Sequence, residues 1–212
     1  MFRFVIAGTG LPEIISLVED VLASGKDLEF LGFIDDNLEN RNRNLYGHNF
    51  LGSFEAIREL GDILVVNSIA RSMSIRSAST RRLVSLGARF MNLVHPSVSL
   101  SGVSLGIGNV LFRGATTHRG VKLGDHNVFL TNSIIGHDTQ IGSFNFFGNG
   151  SIVNGKCSIG DFNYISPGAV LVNDIKIGSS CVVGSNCVVF EPLETGHHIV
   201  KRPDLVFKSG KP

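Results

Sequence analysis

A histidine followed directly by an aspartate, His137-Asp138, is the pair of residues in this sequence best suited to acid–base chemistry. An imidazole can accept a proton near neutral pH, and a neighbouring carboxylate can fix its tautomer and raise its basicity. The pair is therefore a candidate general base with its orienting partner. We expect His118, His126 and His137 all to lie on the outer surface, where a solvated histidine without a catalytic role is the alternative interpretation.

A second chemical pattern, Gly8-Thr9-Gly10, follows an apolar run near the amino terminus. Free backbone N–H groups where a strand turns into a helix can bind an anion. The dinucleotide fingerprint is incomplete, because Glu13 stands where a third glycine would fall. Asp35-Asp36 closes the next apolar run, where an acidic residue can accept hydrogen bonds from a ribose or a base. The alternative is a tight turn followed by a solvated acidic loop.

Alternating strand and helix patterns in residues 1–94 must position these groups. The patterns predict strands at 2–7, 28–34 and 63–66, with helices at 12–23 and 71–86. This order predicts a parallel sheet of Rossmann type, about three βα units long. The second helix carries four arginines that can approach a phosphate or, as we expect, form a solvated helix face: Arg71, Arg76, Arg81 and Arg82.

Residues 95–190 contain an internal repeat. Pairs of an aliphatic residue and a glycine recur at a constant spacing, at Leu105-Gly106, Leu123-Gly124, Ile141-Gly142, Ile159-Gly160 and Ile177-Gly178. Every sixth residue from Leu105 to Val189 is apolar except Thr117. A period of six within a superperiod of eighteen predicts three short parallel strands per turn of a triangular coil, with the large apolar residue inside.

A small residue follows four positions after most of these apolar residues. Asparagine recurs there at Asn109, Asn127, Asn145 and Asn163, which predicts a stacked amide ladder. The three cysteines, Cys157, Cys181 and Cys187, occupy the same interior positions. We therefore expect them to pack in the core rather than to react or to bind a metal. Residues 191–212 are expected to form a C-terminal tail.

Composition excludes several classes of protein. With 43% hydrophobic and 17% charged residues in a chain of 212, the protein is not expected to be disordered. A net charge of +1 gives no electrostatic reason to expect nucleic acid or an anionic membrane as a partner. No apolar run reaches the length of a membrane helix. Three cysteines without CxxC spacing favour a reduced, cytoplasmic protein.

The repeat with its embedded Ile135-Gly136-His137-Asp138 resembles the left-handed parallel β-helix of hexapeptide-repeat acyltransferases. Residues 2–190 resemble the sialic acid O-acetyltransferase and nucleotide-aminosugar N-acetyltransferase family. Matching segments follow in the family's order: Phe4-Val5-Ile6-Ala7-Gly8-Thr9-Gly10, Gly32-Phe33-Ile34-Asp35-Asp36, Gly47, Leu51-Gly52-Ser53, Leu86-Gly87-Ala88, Val94-His95-Pro96-Ser97, Ile159-Gly160-Asp161-Phe162, Ile165-Ser166-Pro167-Gly168-Ala169 and Ile177-Gly178.

The resemblance implies an N-terminal domain that holds a sugar nucleotide and a prism that binds acetyl-coenzyme A between neighbouring subunits of a homotrimer. It implies His137 as general base and Asp138 as its partner, with direct attack of the acceptor on the thioester and no metal. Substrate contacts are implied for two segments, Gly8-Thr9-Gly10-Leu11 and Asp35-Asp36. Contacts to coenzyme A are implied for Phe146, Pro167 and Ser185.

The sequence departs from the family pattern at three places. The glycine loop usually continues with Gly-His, whereas this chain has Leu11-Pro12. A second histidine often follows the base at the position where this chain has Phe146. The usual Gly-x-Pro-Ala-Lys of the tail is replaced by Arg202-Pro203-Asp204-Leu205.

Three functions therefore stay open at the level of sequence. The leading hypothesis is N-acetylation of a nucleotide-linked amino sugar by acetyl-coenzyme A, in polysaccharide or glycan synthesis. The second is O-acetylation of sialic acid or its precursor, which would use the same base. The third is a non-catalytic trimer that binds a sugar nucleotide, suggested by Leu11 and Phe146. An oxidoreductase is disfavoured by the incomplete glycine fingerprint.

Overall fold

The computed structural model describes residues 1–42, 45–70 and 72–200. The N-terminal part is a five-stranded parallel sheet with strand order β3-β2-β1-β4-β5. Its strands are β1 Phe2–Ala7, β2 Leu28–Ile34, β3 Phe50–Gly52, β4 Leu64–Asn67 and β5 Arg89–Phe90. Its helices are α1 Glu13–Ala23, α2 Ile57–Leu60 and α3 Met73–Ser85, with 3₁₀ turns at Leu38–Asn42 and Phe54–Ala56.

The central strand β1 forms the middle of this sheet because its second half is wholly apolar. Residues Phe4, Val5, Ile6 and Ala7 are each fully buried. The predicted strands at 2–7 and 28–34 are found with those bounds, and the third predicted strand is shifted by one residue. Both predicted helices are present, each slightly shorter than expected. Parallel strands with intervening helices fit the predicted order of elements, and the assignment to the Rossmann type stays a prediction.

The second part of the chain is built from two-residue strands. They are β6 Leu93–Val94, β7 Ser104–Leu105, β8 Val110–Leu111, β9 Thr116–Thr117, β10 Lys122–Leu123, β11 Val128–Phe129, β12 Ile134–Ile135, β13 Gln140–Ile141, β14 Phe146–Phe147, β15 Ile152–Val153, β16 Ser158–Ile159, β17 Tyr164–Ile165, β18 Val170–Leu171, β19 Lys176–Ile177, β20 Val182–Val183, β21 Val188–Val189 and β22 His198–Ile199.

These strands form three parallel sheets, which are the faces of a triangular prism. The order is β19-β16-β13-β10-β7 in the first face, β22-β20-β17-β14-β11-β8-β6 in the second and β21-β18-β15-β12-β9 in the third. Strands paired within the repeat are one full coil apart in the chain, for example Phe129 opposite Phe147. We call the turns from the first to the second face the first corner, those from the second to the third face the second corner, and those from the third to the first face the third corner.

The interior of the prism follows the predicted period of six. The second residue of each repeat strand points inward, and all these residues are buried except Leu105 and Thr117, which are half-buried. The small-residue positions between them are also buried. Three parallel sheets and the six-residue repeat fit the predicted left-handed parallel β-helix.

The predicted asparagine ladder is present at the first corner. The side-chain oxygen of Asn109 accepts a hydrogen bond from the backbone N–H of Asn127 at 2.9 Å, and Asn127 and Asn145 repeat this contact one coil further on, each at 2.8 Å. Asn163 ends the ladder on the N–H of Cys181 at 2.7 Å. All three cysteines are free and buried, as expected.

The N-terminal sheet packs against the second face of the prism. One apolar cluster joins β1 and α1 to this face, through contacts that include Phe4, Ile14, Val110, Val128 and Phe146. Burial of apolar surface on both sides stabilises the contact at roughly 25 cal/mol per Å². The two parts therefore share one core, and α1 is fixed relative to the prism.

Charged groups close one end of this interface. Asp20 of α1 accepts a hydrogen bond from Arg113 Nη2 at 2.7 Å and lies 3.1 Å from His95 Nε2. The hydrogen bond from Arg113 lowers the pKa of the Asp20 carboxyl. His95 Nδ1 accepts the backbone N–H of Ser97 at 3.0 Å, and its Nε2 faces both Asp20 Oδ2 and Arg113 Nε.

The boundaries at residues 94 and 190 remain predictions, and sheet pairing crosses both. Leu93–Val94 already pairs with the second face of the prism, through Val110–Leu111. At the other end, His198–Ile199 pairs with Val182–Val183, so the prism sheet continues into the segment predicted as a tail.

Candidate active site

His137 and Asp138 form a turn at the third corner of the prism. The turn requires a positive φ at its second central residue, and Asp138 adopts φ 57° there. Aspartate tolerates this conformation better than most residues because its short polar side chain can hydrogen-bond locally. The backbone N–H of Asp138 donates to Arg119 O at 3.0 Å, which fixes the turn to the preceding coil.

The two side chains are in direct contact. His137 Nδ1 lies 2.9 Å from Asp138 Oδ2, and both side chains are more than half exposed. With the carboxylate accepting from Nδ1–H, Nε2 carries the lone pair that can take a proton. Nε2 makes no hydrogen bond to any residue in the described part of the chain. The pairing expected from the sequence is therefore present in the geometry that a general base needs.

Glycines above and below this pair leave room for it. A Cβ added to Gly155, which lies in the coil after His137, would be 2.7 Å from His137 Nε2. A Cβ added to Gly120, one coil before Asp138, would overlap Asp138 Oδ1. Sequence reasoning missed Gly155, although its offset of one full coil from His137 is the signal that could have found it.

The glycine loop after β1 is closed by Asp35. The backbone N–H and the hydroxyl of Thr9 each donate to Asp35 Oδ2 at 3.1 Å, and Asn40 Nδ2 donates to the same oxygen at 2.8 Å. Gly8 adopts φ 95°, and a Cβ there would lie 2.6 Å from Ile69 Cγ1. The Asp35 carboxylate therefore holds the loop, while Gly10 has open space beside it.

A cavity of about 270 Å³ lies beside this loop, with Thr9, Leu11 and Phe33 among its lining residues. Asp36 does not line it. Instead, Asp36 Oδ1 accepts the backbone N–H of Phe54 at 3.0 Å, and Oδ2 pairs with Arg82 Nε at 2.6 Å. The structure thus brings Thr9 and Leu11 together at one cavity, and the carboxylates of Asp35 and Asp36 bind to other residues of the protein.

The residues implied for coenzyme A divide between two environments. Phe146 is 5% exposed and stacks on Tyr164, with ring centroids 4.6 Å apart, inside the cluster between the two parts of the chain. Pro167 and Ser185 are exposed at the second corner, one coil apart. The surface of the second corner is therefore open to a ligand, while the Phe146 side chain is covered by this chain itself.

Two expectations about polar residues were wrong. His126 was expected on the outer surface, but it is 5% exposed, edge-on to Phe90 at 4.7 Å and stacked on Phe144 at 4.9 Å. Burial, followed by the nearby charge of Arg76, lowers the pKa of His126 to about 4. The repeat pattern alone predicts an exposed side chain at this position. The N-terminal sheet covers the corner, and His126 is therefore buried.

Arg76 was expected on a solvated helix face, but its side chain is fully buried. Its guanidinium donates to the carbonyl oxygens of Asn67, Ile69, Gly108 and His126, and so it ties α3 to the prism. Burial lowers the pKa of this guanidinium. Arg82 pairs with Asp36 and Glu55, and Arg81 is exposed. Arg71 and the segment Arg202-Pro203-Asp204-Leu205 lie outside the described residues.

Within 1–42, 45–70 and 72–200, no group of three or more His, Cys, Asp or Glu side chains is arranged to hold a metal ion. Over the same ranges, no helix combines the length and apolar character needed to cross a bilayer.

Comparison with known proteins agrees with this architecture. The family model "Bacterial transferase hexapeptide (six repeats)" matches residues 156–191. No curated protein matches the chain by sequence.

Solved structures match over almost the full length. A His-to-Asn variant of perosamine N-acetyltransferase from Caulobacter crescentus, in complex with CoA and GDP-perosamine, is 22% identical with a TM-score of 0.82, covering 99% of this chain and 98% of that one. The acetyltransferase domain of PglB from Neisseria gonorrhoeae is 21% identical with a TM-score of 0.83, covering 96% and 98%. The same domain has been solved with acetyl coenzyme A. WeeI from Acinetobacter baumannii is 24% identical with a TM-score of 0.82, covering 95% and 98%.

The resemblance to hexapeptide-repeat acetyltransferases is thus confirmed in the repeat and in the fold. The chain has the fold of perosamine N-acetyltransferase and of the PglB acetyltransferase domain, and its residues 156–191 carry the repeat of the bacterial hexapeptide transferases.

Proposed function

We propose that this protein is an acetyltransferase that moves the acetyl group of acetyl-coenzyme A to the amino group of a nucleotide-linked sugar. The observation that carries the proposal is the contact of His137 Nδ1 with Asp138 Oδ2 at 2.9 Å on an exposed corner. The fold supports it, because two of the similar structures are acetyltransferases whose complexes contain CoA or acetyl coenzyme A. One of these also contains GDP-perosamine, an amino sugar linked to a nucleotide.

In the proposed reaction the acceptor attacks the thioester directly. The nitrogen lone pair of the neutral amine forms the C–N bond with the acetyl carbonyl carbon, while His137 Nε2 accepts the proton from that nitrogen. The C–S bond then breaks, and the sulfur of coenzyme A leaves with the proton returned from the imidazolium. Asp138 stabilises the imidazolium that forms between these two steps. No side chain of the enzyme becomes acylated.

Backbone groups beside His137 are suited to the charge that develops on the carbonyl oxygen. The N–H groups of His137 and Gly155 donate no hydrogen bond to any residue of the described ranges. Donors fixed in advance at the position of a developing oxyanion lower the barrier, commonly by ~3 kcal/mol each. These two N–H groups are our candidates for that role.

We assign substrate contacts to the loop Gly8-Thr9-Gly10-Leu11 and to Asp35-Asp36, and coenzyme A contacts to Pro167 and Ser185. We assign no coenzyme A contact to the Phe146 side chain, because this chain itself covers it. Thr9 and Leu11 line a cavity, and Pro167 and Ser185 are exposed, which supports those assignments. We further propose a homotrimer in which neighbouring prisms complete the coenzyme A groove. Light scattering that gives three times the mass of one chain, 22.8 kDa, supports the trimer, and a monomeric mass contradicts it.

A thiol-release assay tests the proposed reaction. Acetyl-coenzyme A is supplied with a panel of nucleotide-linked amino sugars, the matching sugars in which a hydroxyl replaces the amine, and free sialic acid. We expect release of coenzyme A with amino acceptors only. Release with sialic acid or with hydroxyl sugars identifies O-acetylation instead. Binding of a sugar nucleotide without any thiol release identifies the non-catalytic trimer.

A further inference from the structure

A cavity of about 700 Å³ lies between the start of α3 and the second face of the prism. Its walls come from both parts of the chain, including Ser77 and Arg81 on α3 and Phe162, Tyr164 and Ser180 on the prism. None of these residues belongs to the His137 corner, to the glycine loop or to the second corner. The volume is within the range of ligand sites, about 300–1,000 Å³.

A stack of aromatic rings ends at this cavity. At the first corner, rings repeat once per coil: His126 stacks on Phe144 at 4.9 Å, and Phe144 stacks on Phe162 at 5.3 Å with an interplanar angle of 4°. The next position of the column is Ser180, which lines the cavity and is too small to continue the stack. On the adjoining second face, Tyr164 ends a second stack that begins at Phe146. Both aromatic stacks therefore end at the cavity, at Phe162 and at Tyr164.

The polar groups around the cavity favour an anion. No aspartate or glutamate of the described ranges lines it, whereas Arg81 and His198 do. Arg81 Nη1 donates to Ser77 Oγ at 2.7 Å, and Arg81 makes no ion pair within the described ranges. Helix α3 begins beside the cavity with no acidic residue in its first turn and no side-chain cap on its N–H groups. Both conditions make its positive dipole end available to a negative group.

We propose that this cavity is a second ligand site, which binds a nucleotide through its base and its phosphate. The planar base continues the stack of His126, Phe144 and Phe162 in the space above Ser180, since aromatic rings stabilise a base by stacking on it. The phosphate lies toward Arg81 and the start of α3. The site is separate from the proposed acetyl transfer, and it would exist even if the transferred group or the acceptor were different.

The composition of the chain offers a specific readout for this site. The sequence has no tryptophan and two tyrosines, Tyr46 and Tyr164. Tyr164 lines this cavity, and Tyr46 lines the cavity beside the glycine loop. A Tyr46→Phe variant therefore reports the new site alone by tyrosine fluorescence, and a Tyr164→Phe variant reports the loop alone. Free tyrosine at equal absorbance corrects for light absorbed by the added nucleotide.

Adenosine monophosphate, uridine monophosphate and inorganic pyrophosphate are titrated into the Tyr46→Phe protein. We expect saturable quenching by both nucleotides, with pyrophosphate at least tenfold weaker because it has no ring to stack. Absence of saturable quenching by either nucleotide overturns the proposal. Pyrophosphate that binds as tightly as the nucleotides overturns the stacking of a base.

Two substitutions at Ser180 separate ligand binding from folding. Ser180 adopts φ 58°, and Phe144 and Phe162 adopt φ 57° and 60° in the preceding coils, so Ser180→Phe is compatible with the backbone. The added ring fills the position of the base, and we expect nucleotide affinity to fall at least tenfold, while Ser180→Ala binds as the parent does. Equal affinity in Ser180→Phe and Ser180→Ala overturns the proposal.

The charge of Arg81 is tested in the same background. We expect Arg81→Met to lower the affinity for both nucleotides about tenfold. The affinity for adenosine, which has no phosphate, should stay unchanged. Lys122→Met, on the first face of the prism, is the matched control and is expected to bind normally. Equal weakening of adenosine and its monophosphate by Arg81→Met contradicts the assigned position of the phosphate. Acetyl transfer by Ser180→Phe at the parental rate shows that the two sites fail independently.

Discussion

Two histidines on the same repeat, His137 at the third corner and His126 at the first, have opposite environments. His137 is exposed beside a carboxylate, whereas His126 is buried between aromatic rings near an arginine. The prism presents both positions outward. Of these two corners, the N-terminal part covers the first, and His137 at the third is more than half exposed. The difference teaches that the repeat sets where a side chain projects, and the N-terminal sheet decides whether that side chain is exposed or buried.

The largest expected effect comes from removing the exposed histidine, His137. We expect His137→Ala to reduce kcat/KM for acetyl transfer by ~10²–10⁴-fold, because the variant lacks the proposed general base. Steady-state thiol release measures it. His118→Ala, exposed at the same corner one coil earlier, is the matched control and should retain activity. A His137→Ala protein with parental activity would remove the basis of the proposed mechanism.

The next effect comes from the arginine beside His126. We expect Arg76→Met to lower the free energy of unfolding by about 3 kcal/mol, because its buried carbonyl partners lose their donor at a typical cost of about 1–3 kcal/mol per unsatisfied group. Urea denaturation of the variant against the parent gives this difference. Arg81→Met, on the exposed side of the same helix, should change stability by less than about 0.5 kcal/mol. Similar losses of unfolding free energy in the two variants would contradict the stabilising role of the Arg76 hydrogen bonds between α3 and the prism.

The buried histidine should make the fold sensitive to acid. Its pKa is about 4 in the folded protein and about 6.5 when unfolded, so the unfolded chain binds more protons between these values. Stability therefore rises with pH across this window, and acidification from pH 6.5 to 4 should cost about 2.5 kcal/mol at His126.

A substitution at the same position isolates this contribution. Phenylalanine already occupies the equivalent backbone conformation at Phe144 and Phe162, and His126 Nδ1 has no hydrogen-bond partner within the described ranges. We expect His126→Phe to preserve the stack and to be less acid-sensitive than the parent by about 2 kcal/mol. Denaturation curves at pH 7 and pH 4.5 provide the measurement. Parallel losses in both proteins would assign the acid sensitivity to other groups.

The smallest of the four effects concerns the position of the exposed histidine, His137. Alanine is compatible with the backbone at Gly155, which does not have a positive φ. The new methyl group would lie 2.7 Å from His137 Nε2, so the imidazole must move. We expect activity to fall about tenfold, since displaced catalytic groups lose efficiency steeply. The melting temperature should change little. A loss of stability with unchanged activity per folded molecule would show that Gly155 serves packing rather than the position of His137.

The parts of the fold that could be predicted are those with local, repeating causes. Burial of every sixth residue follows from the two-residue strand and its turn, so Phe129, Phe147 and Ile165 could be placed inside from spacing alone. The asparagine ladder follows from the same offset of one coil. The contact of His137 with Asp138 was predictable because the residues are adjacent and the turn holds them together.

The predictions that were wrong concern residues whose environment depends on contacts between distant segments. Arg76 and His126 are far apart in the chain, and the hydrogen bond from Arg76 Nε to His126 O forms only when α3 docks on the first corner. Nothing in the period of either segment encodes that contact. Phe146 is covered for the same reason, since the N-terminal sheet lies over the second face. Prediction from sequence was accurate within each coil and weak across the interface.

The asparagine column makes the prism a structure of countable units. Each ladder contact joins equivalent positions of successive coils, and the column terminates on the plain backbone N–H of Cys181 rather than on another asparagine. A whole coil can therefore be inserted or removed without changing the register of any other coil, whereas other lengths rotate every later side chain to a different face. Evolution or a protein engineer can lengthen this scaffold one coil at a time and keep the His137 corner intact.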